Sequence, residues 1–214
     1  MSLQQEIQQQ REQTLAKAPK DVIEVLVGTT EELKKTGIEN KALAVGDKAI
    51  DFSLPNIKGE QVTLQQALNK GPVVLNIYRG GWCPYCNLEL HALQRALTEI
   101  EAAGAQLIAV APQLPDKSIE SAEKHQLTFE VLSDVGNKVS RQYGLVFTLP
   151  EALRPIYEMF NLDIPGYNGD DSFELPMPAT YVINQQGEIM HAFVDADYTQ
   201  RMEPADIIEI LKNL

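Results

Sequence analysis

The sequence predicts an α/β fold in which a mixed central sheet is flanked by helices. Between residues 73 and 143, short apolar runs alternate with segments of helical periodicity, which is typical of parallel strands joined by helices. Two further apolar runs, at 177–183 and 188–194, flank an N-Q-Q-G turn and predict an antiparallel hairpin. With 214 residues and 44% apolar content, the chain is long enough for one sizeable core.

Residues 1–44 differ from the remainder and predict a helical N-terminal extension. Leu3, Ile7 and Leu15 form a rough helical stripe among glutamines and charged residues, and apolar spacing continues from residue 22 to residue 33. We expect two or three helices that pack on the main domain, residues 45–214, or on a partner subunit.

The main domain opens with a small hairpin around an Asn/Gly turn at 56–60, followed by a short helix at 65–69. The unbroken apolar run 73–78 predicts a strand buried on both faces. Pro84 is suited to the first position of the next helix, whose apolar face runs to residue 100 and which Gly104 ends.

Two more strands, 107–111 and 129–132, are each followed by a predicted helix. The first of these helices is expected to start at a cap on Asp116 or Ser118, and the second runs from Asn137 to Tyr143. The segment of about 145–176 then interrupts the alternation with four prolines and predicts an insertion before the late hairpin. We expect a short helix at 151–160 within it, and a wall of aromatic residues beside the functional site. Pro204 opens the last predicted helix.

Charge and composition exclude several classes of function. Acidic residues outnumber basic ones 30 to 18, for a net charge of −12, and this disfavours nucleic-acid binding. The first residues lack the basic start and apolar run of a signal peptide, and no apolar run approaches membrane-spanning length. We therefore expect a cytoplasmic protein that does not bind membranes.

The only two cysteines, Cys83 and Cys86, lie where the central strand gives way to a helix. With Pro84 at the first helical position, Cys83 falls near the N-cap and Cys86 in the first turn. The helix dipole and the unpaired N–H groups there favour a thiolate. A cross-link over two residues would stabilise little, so the spacing predicts a redox pair rather than a structural disulfide.

A zinc site is the other interpretation of a C-x-x-C pair, and it requires about four ligands. The three histidines, His91, His125 and His191, are single and scattered along the sequence. We therefore expect neither a metal nor an organic cofactor.

Three neighbours of the cysteines are candidates for supporting roles. Trp82 is expected either to cover the sulfurs or to pack in the core. Arg79 either stabilises a thiolate or is a solvated charge at the end of the strand. Glu89 either orients a proton or Arg79, or compensates the helix dipole. Arg154, in the insertion, is a weaker candidate for the role of Arg79.

Four motifs together resemble a known family. They are the opening V-G-D-K-A-I-D-F-S-L-P, the segment Y-R-G-G-W-C-P-Y-C-N-L-E, the segment L-S-D-V-G-N-K-V-S-R-Q-Y-G, and Pro178 before T-Y-V-I. In this order, from about residue 46 to the end, the chain resembles the peroxiredoxin-like alkyl hydroperoxide reductase/thiol-specific antioxidant family of the thioredoxin-fold superfamily. The resemblance implies a thioredoxin-like fold, and a cis bond before Pro178 opposite the cysteines. The alternative for Pro178 is a trans proline at the start of a strand.

The chain departs from the family pattern Pro-x-x-x-Thr/Ser-x-x-Cys. With Cys86 at the family's peroxide-attacking position, Arg79 takes the place of the proline and Cys83 that of the threonine. Ala179 occupies a position where the family's late arginine would be sought. The Pro-Tyr pair between the cysteines is similar to glutaredoxins, and Trp82 before them is similar to thioredoxin.

The resemblance implies a thiol-dependent peroxidase that reduces hydroperoxides through Cys83 and Cys86 and is re-reduced by a thioredoxin- or glutaredoxin-type donor. Helix geometry favours attack by Cys83, which is expected to be the more exposed, whereas the family alignment favours Cys86. The alternatives are a thiol–disulfide oxidoreductase acting on protein disulfides, and a redox sensor or partner-binding module without turnover. A homodimer is plausible, because the N-terminal extension and the insertion both offer apolar surface.

Overall fold

A computed structural model describes residues 1–214 and shows nine α-helices and nine strands. The helices are α1 (Leu3–Lys17), α2 (Lys20–Lys35), α3 (Leu64–Leu68), α4 (Pro84–Ala102), α5 (Pro115–His125), α6 (Lys138–Gln142), α7 (Arg154–Met159), α8 (Ile164–Asn168) and α9 (Pro204–Lys212). The strands are β1 (Ser53–Pro55), β2 (Gln61–Thr63), β3 (Val73–Ile77), β4 (Gln106–Ala111), β5 (Glu130–Ser133), β6 (Val146–Thr148), β7 (Glu174–Pro176), β8 (Ala179–Ile183) and β9 (Ile189–Val194). Short 3₁₀ helices lie at Ile38–Lys41 and Glu151–Leu153.

The predicted mixed sheet is confirmed. Five strands lie in the order β5-β4-β3-β8-β9, so that β3 is central. It pairs in parallel with β4 and antiparallel with β8. Strand β3 therefore joins the parallel part of the sheet to the late hairpin, β8 and β9. The same strand leads directly to the cysteines.

Strand β3 is apolar because both of its faces are covered. Val74 and Tyr78 belong to the core on the α4 side of the sheet, whereas Leu75 and Ile77 belong to the core on the opposite side. All five residues of β3 are buried. This burial fixes the point at which the chain leaves the sheet and enters the cysteine loop.

Helix α4 begins and ends as the sequence predicts. Pro84 stands in its first turn, where a missing N–H costs nothing. Gly104 adopts a left-handed φ of 82°, and the N–H of Ala105 returns to the carbonyl of Ile100 at 3.2 Å. The face that carries Leu90 and Leu93 is buried against the sheet.

The predicted N-terminal helices are present as α1, α2 and the 3₁₀ turn after them. Leu3 and Ile7 are buried, and α1 packs along α4. The Glu6 carboxylate also pairs with the Arg95 guanidinium of α4 at 2.9 Å. The start of α1 is thus held on the cysteine helix, whereas Leu15 near its end is exposed.

The predicted cap of helix α5 is wrong. Helix α5 begins at Pro115 with Leu114 as its N-cap, because the proline takes the first helical position. The Ser118 hydroxyl is buried in contact with the Ser133 hydroxyl, 2.7 Å away, and does not cap the helix. The insertion contains a second helix, α8, whose first turn is held by the Asp163 side chain accepting from the N–H of Gly166. The insertion also contributes β6 and β7, which pair with each other.

The expected cis bond before Pro178 is also wrong, since every peptide bond is trans. Pro178 joins β7 to β8, and the N–H of Met177 just before it pairs with the carbonyl of Leu145 at 2.9 Å. The chain therefore passes in an extended form from one strand into the next, with a trans proline at the start of β8. None of the helices combines the length and the apolar character needed to cross a bilayer.

Candidate active site

The loop between β3 and α4 is fixed by hydrogen bonds on both sides of Gly81. Its N–H donates to the Gln113 side chain at 2.8 Å, and its carbonyl accepts from the Asn87 side chain at 3.0 Å. A Cβ at this position would overlap the Ser121 hydroxyl, so only glycine fits. The loop therefore delivers Trp82 and Cys83 in one defined position.

Both cysteines are free thiols at the start of α4, as predicted, with Cys83 at the N-cap and Cys86 in the first turn. The expected difference in exposure is not found, because Cys83 is 1% and Cys86 0% exposed. Any reactant therefore reaches the sulfurs only if the side chains that cover them move.

Four aromatic side chains surround this end of α4, and we refer to Trp82, Tyr85, Tyr157 and Tyr198 as the aromatic shell. Trp82 meets Tyr157 edge to face with ring centroids 5.8 Å apart, and Tyr85 meets Tyr198 in the same way at 5.6 Å. Tyr157 comes from the insertion, so one of its aromatic residues lies beside the site, whereas Phe173 stacks on Arg154 instead. Phe160 of the same segment is partly exposed and takes no part in the aromatic shell.

Arg79 lies inside the aromatic shell rather than in solvent. Its side chain is fully enclosed, with the guanidinium carbon 4.5 Å from the Tyr198 ring centroid and 5.0 Å from that of Trp82. One guanidinium N–H donates to the Tyr157 hydroxyl at 2.5 Å. The interpretation of Arg79 as a solvated strand-end charge is therefore wrong.

Arg201, which the sequence analysis did not identify, contacts a sulfur directly. Its Nη2 lies 3.3 Å from Cys86 Sγ, and its Nε donates to Glu89 Oε2 at 2.7 Å. Its Nη1 donates to the carbonyls of Tyr198 and Gln200 at 2.5 and 2.7 Å. The cation comes from the loop before α9, later in the chain than Ala179, where a family arginine was sought. In the sequence, the only indication of this role is that Arg201 stands between the aromatic residue Tyr198 and Pro204, which starts the last helix.

The two arginines and the helix N-terminus place one negative charge on the cysteine pair. Burial disfavours ionisation of Cys83, but a hydrogen bond from Cys86 and the charges of Arg79 and Arg201 lower its pKa to about 6. Burial and the neighbouring Cys83 thiolate raise the pKa of Cys86 well above that of an ordinary thiol. At neutral pH the pair therefore holds a Cys83 thiolate and a Cys86 thiol, even though Arg201 contacts Cys86.

Glu89 is buried and forms part of a polar chain behind Cys86. In addition to Arg201, it accepts a long hydrogen bond of 3.5 Å from the Thr180 hydroxyl, which itself accepts from the Asn76 amide at 3.2 Å. Burial raises the pKa of Glu89 to about 7 in spite of the opposing charge of Arg201. Glu89 thus pairs with Arg201 rather than with Arg79, the partner that was expected.

The Glu89→Gln variant is expected to alter how stability depends on pH. The folded-state pKa of Glu89 lies above its ordinary value of 4.5, so between pH 4.5 and about 7 the folded protein holds a proton that the unfolded chain releases. The free energy of unfolding of the wild type should therefore fall as pH rises through this window, by up to about 3 kcal/mol relative to Glu89→Gln. Denaturant unfolding across the window measures the difference, with Glu158→Gln on the exposed side of α7 as control. If the free energy of unfolding of wild type and of Glu89→Gln depended on pH in the same way, the raised pKa of Glu89 would be contradicted.

The histidines are less scattered than the sequence suggested. His91 Nε2 and His125 Nδ1 lie 2.7 Å apart between α4 and α5, and burial lowers the pKa of His125. No three potential ligands among His, Cys, Asp and Glu gather anywhere in residues 1–214. Arg154, the weaker candidate, stacks on Phe173 with its guanidinium carbon 4.2 Å from the ring centroid.

Comparison with known proteins places this site in a family. The AhpC/TSA family model matches residues 45–192. The thiol-disulfide oxidoreductase ResA of Halalkalibacterium halodurans is 25% identical over 193 residues, which cover 89% of this chain and 90% of that protein. Peroxiredoxin Bcp of Escherichia coli K12 is 33% identical over 103 residues, which are 48% of this chain and 65% of that protein.

Solved structures support the fold. Peroxidoxin BcpB from Mycobacterium tuberculosis superposes with a TM-score of 0.63 at 20% identity, covering 80% of this chain and 98% of that one. The thioredoxin-like fold expected from the sequence is thereby confirmed. Because the family model spans more than half of the sequence, the chain belongs to the AhpC/TSA family of thiol-dependent oxidoreductases.

Proposed function

We propose that the protein reduces hydroperoxides with the Cys83/Cys86 pair. The observation that carries this proposal is the burial of two thiols beside the guanidinium of Arg201 and close to that of Arg79. A small hydroperoxide reaches thiols enclosed in this way more readily than a loop of a folded protein does. The two cations suit the negative charge that develops on oxygen as the O–O bond breaks.

In the first step, the Cys83 thiolate attacks one oxygen of ROOH. An S–O bond forms, the O–O bond breaks, and the departing alkoxide takes up a proton to leave as ROH, so that Cys83 becomes a sulfenic acid. Glu89, which pairs with Arg201 and whose pKa of about 7 keeps it partly protonated, is the proton source in this proposal. Arg79 and Arg201 stabilise the charge on the leaving oxygen.

In the second step, the Cys86 sulfur attacks the sulfenic sulfur, an S–S bond forms, and water leaves. The Cys83–Cys86 disulfide then takes two electrons and two protons from a dithiol donor, which becomes oxidised in its place. A thioredoxin- or glutaredoxin-type protein is the donor class that we propose. Such a cycle requires a reducing compartment, and the cytoplasm is one.

Cys83 is the attacking residue in this proposal because its pKa is lowered to about 6 whereas that of Cys86 is raised. The alignment with the family motif favours Cys86 instead. The thiolate is the nucleophile in this chemistry, so we give more weight to the charge distribution than to the alignment.

Reduction of protein disulfides is the second candidate function. A low pKa on the first cysteine of a C-x-x-C pair suits thiol–disulfide exchange, and ResA, a named thiol-disulfide oxidoreductase, aligns with nine-tenths of this chain. This function requires the aromatic shell to open widely enough to admit a second polypeptide.

Two assays on the reduced protein separate these functions. Hydroperoxide-dependent oxidation of a thioredoxin system, catalytic in the protein, is expected for a peroxidase. Reduction of an insulin disulfide without peroxide turnover would instead support the second candidate. Peroxide consumption of no more than one equivalent, with or without added donor, would count against turnover and favour a sensor.

A further inference from the structure

The N-terminal helices reach the same segment that supplies Arg201. Lys34 of α2 pairs with Asp195 at 2.8 Å, and the Glu39 carboxylate accepts from the N–H of Ala196 at 2.7 Å. These two contacts hold the beginning of segment 195–203, which carries Arg201 towards the cysteines.

The end of segment 195–203 is held by the first turn of α1. The Glu203 carboxylate accepts from the main-chain N–H groups of Leu3 and Gln4 at 3.2 and 2.7 Å. The Gln4 side chain in turn donates to the main-chain carbonyl of Arg201 at 2.6 Å. A carboxylate at a helix N-terminus is favoured by the helix dipole, so the contact reinforces the position of both partners.

The contact between Gln4 and the Arg201 main chain affects the position of the guanidinium at Cys86, because the Arg201 side chain has little conformational freedom of its own. Three of its nitrogens donate within the fold, to Glu89, to the carbonyls of Tyr198 and Gln200, and to Cys86. A shift of the main chain at Arg201 must therefore move the guanidinium relative to Cys86. Both Gln4 and Arg201 lie outside residues 45–192, which match the family model.

Helices α1 and α2 also lie over the aromatic shell. A cavity of about 300 Å³ separates them from Tyr85 and Tyr198. Leu15 and Val27 on its rim are exposed. The middle of the helical pair is therefore loosely packed, and the contacts with segment 195–203 lie at its two ends.

We propose that Gln4, together with Glu203, is a positioning residue for the thiol chemistry, because helix α1 holds the Arg201 main chain so that its guanidinium stays on Cys86. This inference rests on the proposed function of the same cysteine pair. It gives the N-terminal helices a role in the active site in addition to their packing.

The test measures the ionisation of the thiols and not their turnover. The ultraviolet absorbance of the thiolate is recorded as a function of pH for reduced wild type, Gln4→Ala and Gln9→Ala, with the double variant Cys83→Ser/Cys86→Ser as baseline. Gln9 is exposed on the same helix and serves as the matched control. Loosening Arg201 should raise the midpoint of the Gln4→Ala titration by roughly half a pKa unit, an about threefold loss of thiolate well below the midpoint.

Other groups near the thiols have to stay constant in this comparison. The titratable and charged side chains that face the thiols are Tyr78 and Arg79 from the end of β3, Tyr85 and Glu89 from α4, Tyr157 from α7, and Tyr198 and Arg201 from the segment before α9. None of them is altered by Gln4→Ala. A shift in the midpoint of the thiolate titration therefore reports a change in the positions of these groups and not the loss of one of them.

A double-mutant cycle identifies the route of the effect. If Gln4 acts through Arg201, Gln4→Ala should produce no further shift in an Arg201→Met background. The proposal is overturned by an unchanged midpoint in Gln4→Ala, by an equal shift in Gln9→Ala, or by the same shift with and without Arg201. Because no peroxide is used, the result stands even if the peroxidase assay is negative.

Discussion

The Cys83→Ser variant is expected to lose hydroperoxide turnover by roughly 1000-fold or more. Cys83 carries the thiolate at neutral pH, since its pKa is lowered to about 6, and a serine hydroxyl in its place is not ionised. In the remaining Cys86 the contribution of the Cys83 thiolate to the raised pKa is lost, but burial, the largest cause, still raises it and makes Cys86 the poorer nucleophile at pH 7. Peroxide consumption with a dithiol donor in excess measures the loss.

The Cys86→Ser variant is the matched comparison, because it removes the second sulfur and leaves the first. It should consume about one equivalent of hydroperoxide, since the stoichiometry of the first step involves one sulfur. The product should be a sulfenic acid on Cys83 that a dimedone-type reagent labels. If label appears on Cys86 in Cys83→Ser, and none appears on Cys83 in Cys86→Ser, then Cys86 attacks, as the family alignment suggests.

The cysteine site could be predicted from the sequence because its determinants are local. The apolar run of β3, the two glycines, Cys83 and Pro84 follow one another along the chain, and each acts on its neighbours through backbone geometry. The parallel pairing of β3 with β4 and of β4 with β5 follows from the alternation of strands and helices. These predictions required no knowledge of which distant segments meet.

The charges around the sulfurs could not be predicted in the same way. Arg201 and Cys86 are 115 residues apart in the chain, and no local pattern indicates that the loop before α9 folds back over the start of α4. Arg79 was a candidate, but its burial depends on Tyr157 and Tyr198, which come from two other segments. The surroundings of a group decide its pKa, so the electrostatics of this site required the tertiary structure.

The error at Pro178 has a related cause. A proline at the entry to a strand occurs with either peptide isomer, and the sequence around it does not distinguish them. The resemblance to thioredoxin-fold proteins implied the cis form. In this chain, the short strand β7 pairs with β6 and runs almost directly into β8, and the trans bond continues that extended path.

Arg201→Met is expected to lower hydroperoxide turnover by about 100-fold to 1000-fold, the range found when a preorganised charge partner is removed from an active site. Arg201 contributes to the lowered pKa of Cys83, so its removal reduces the thiolate at neutral pH. It also removes a positive charge from the place where the leaving oxygen develops its negative charge. The pH profile of turnover should therefore shift to higher pH, and its plateau should fall.

Stability should respond to Arg201→Met in a different, pH-dependent way. Breaking a buried ion pair typically costs about 3–5 kcal/mol when the partner remains charged. Glu89 is 2% exposed and its pKa is already raised to about 7, so below that pH it can take up a proton and avoid most of the cost. The destabilisation of Arg201→Met relative to wild type should thus be small near pH 5 and grow as pH rises through 7.

The double variant Arg201→Met/Glu89→Gln separates the two effects. Because both charges are absent, the free energy of unfolding should recover above pH 7. Glu89 is also the proposed proton source, so the turnover of the double variant is compared with that of Glu89→Gln alone and should lie well below it. Arg141→Met removes a surface pair with Glu174 and should leave stability and turnover nearly unchanged. A stable double variant with the same turnover as Glu89→Gln would show that Arg201 acts only by holding Glu89 in the fold. If its turnover is lower than that of Glu89→Gln, the guanidinium on Cys86 takes part in the reaction itself.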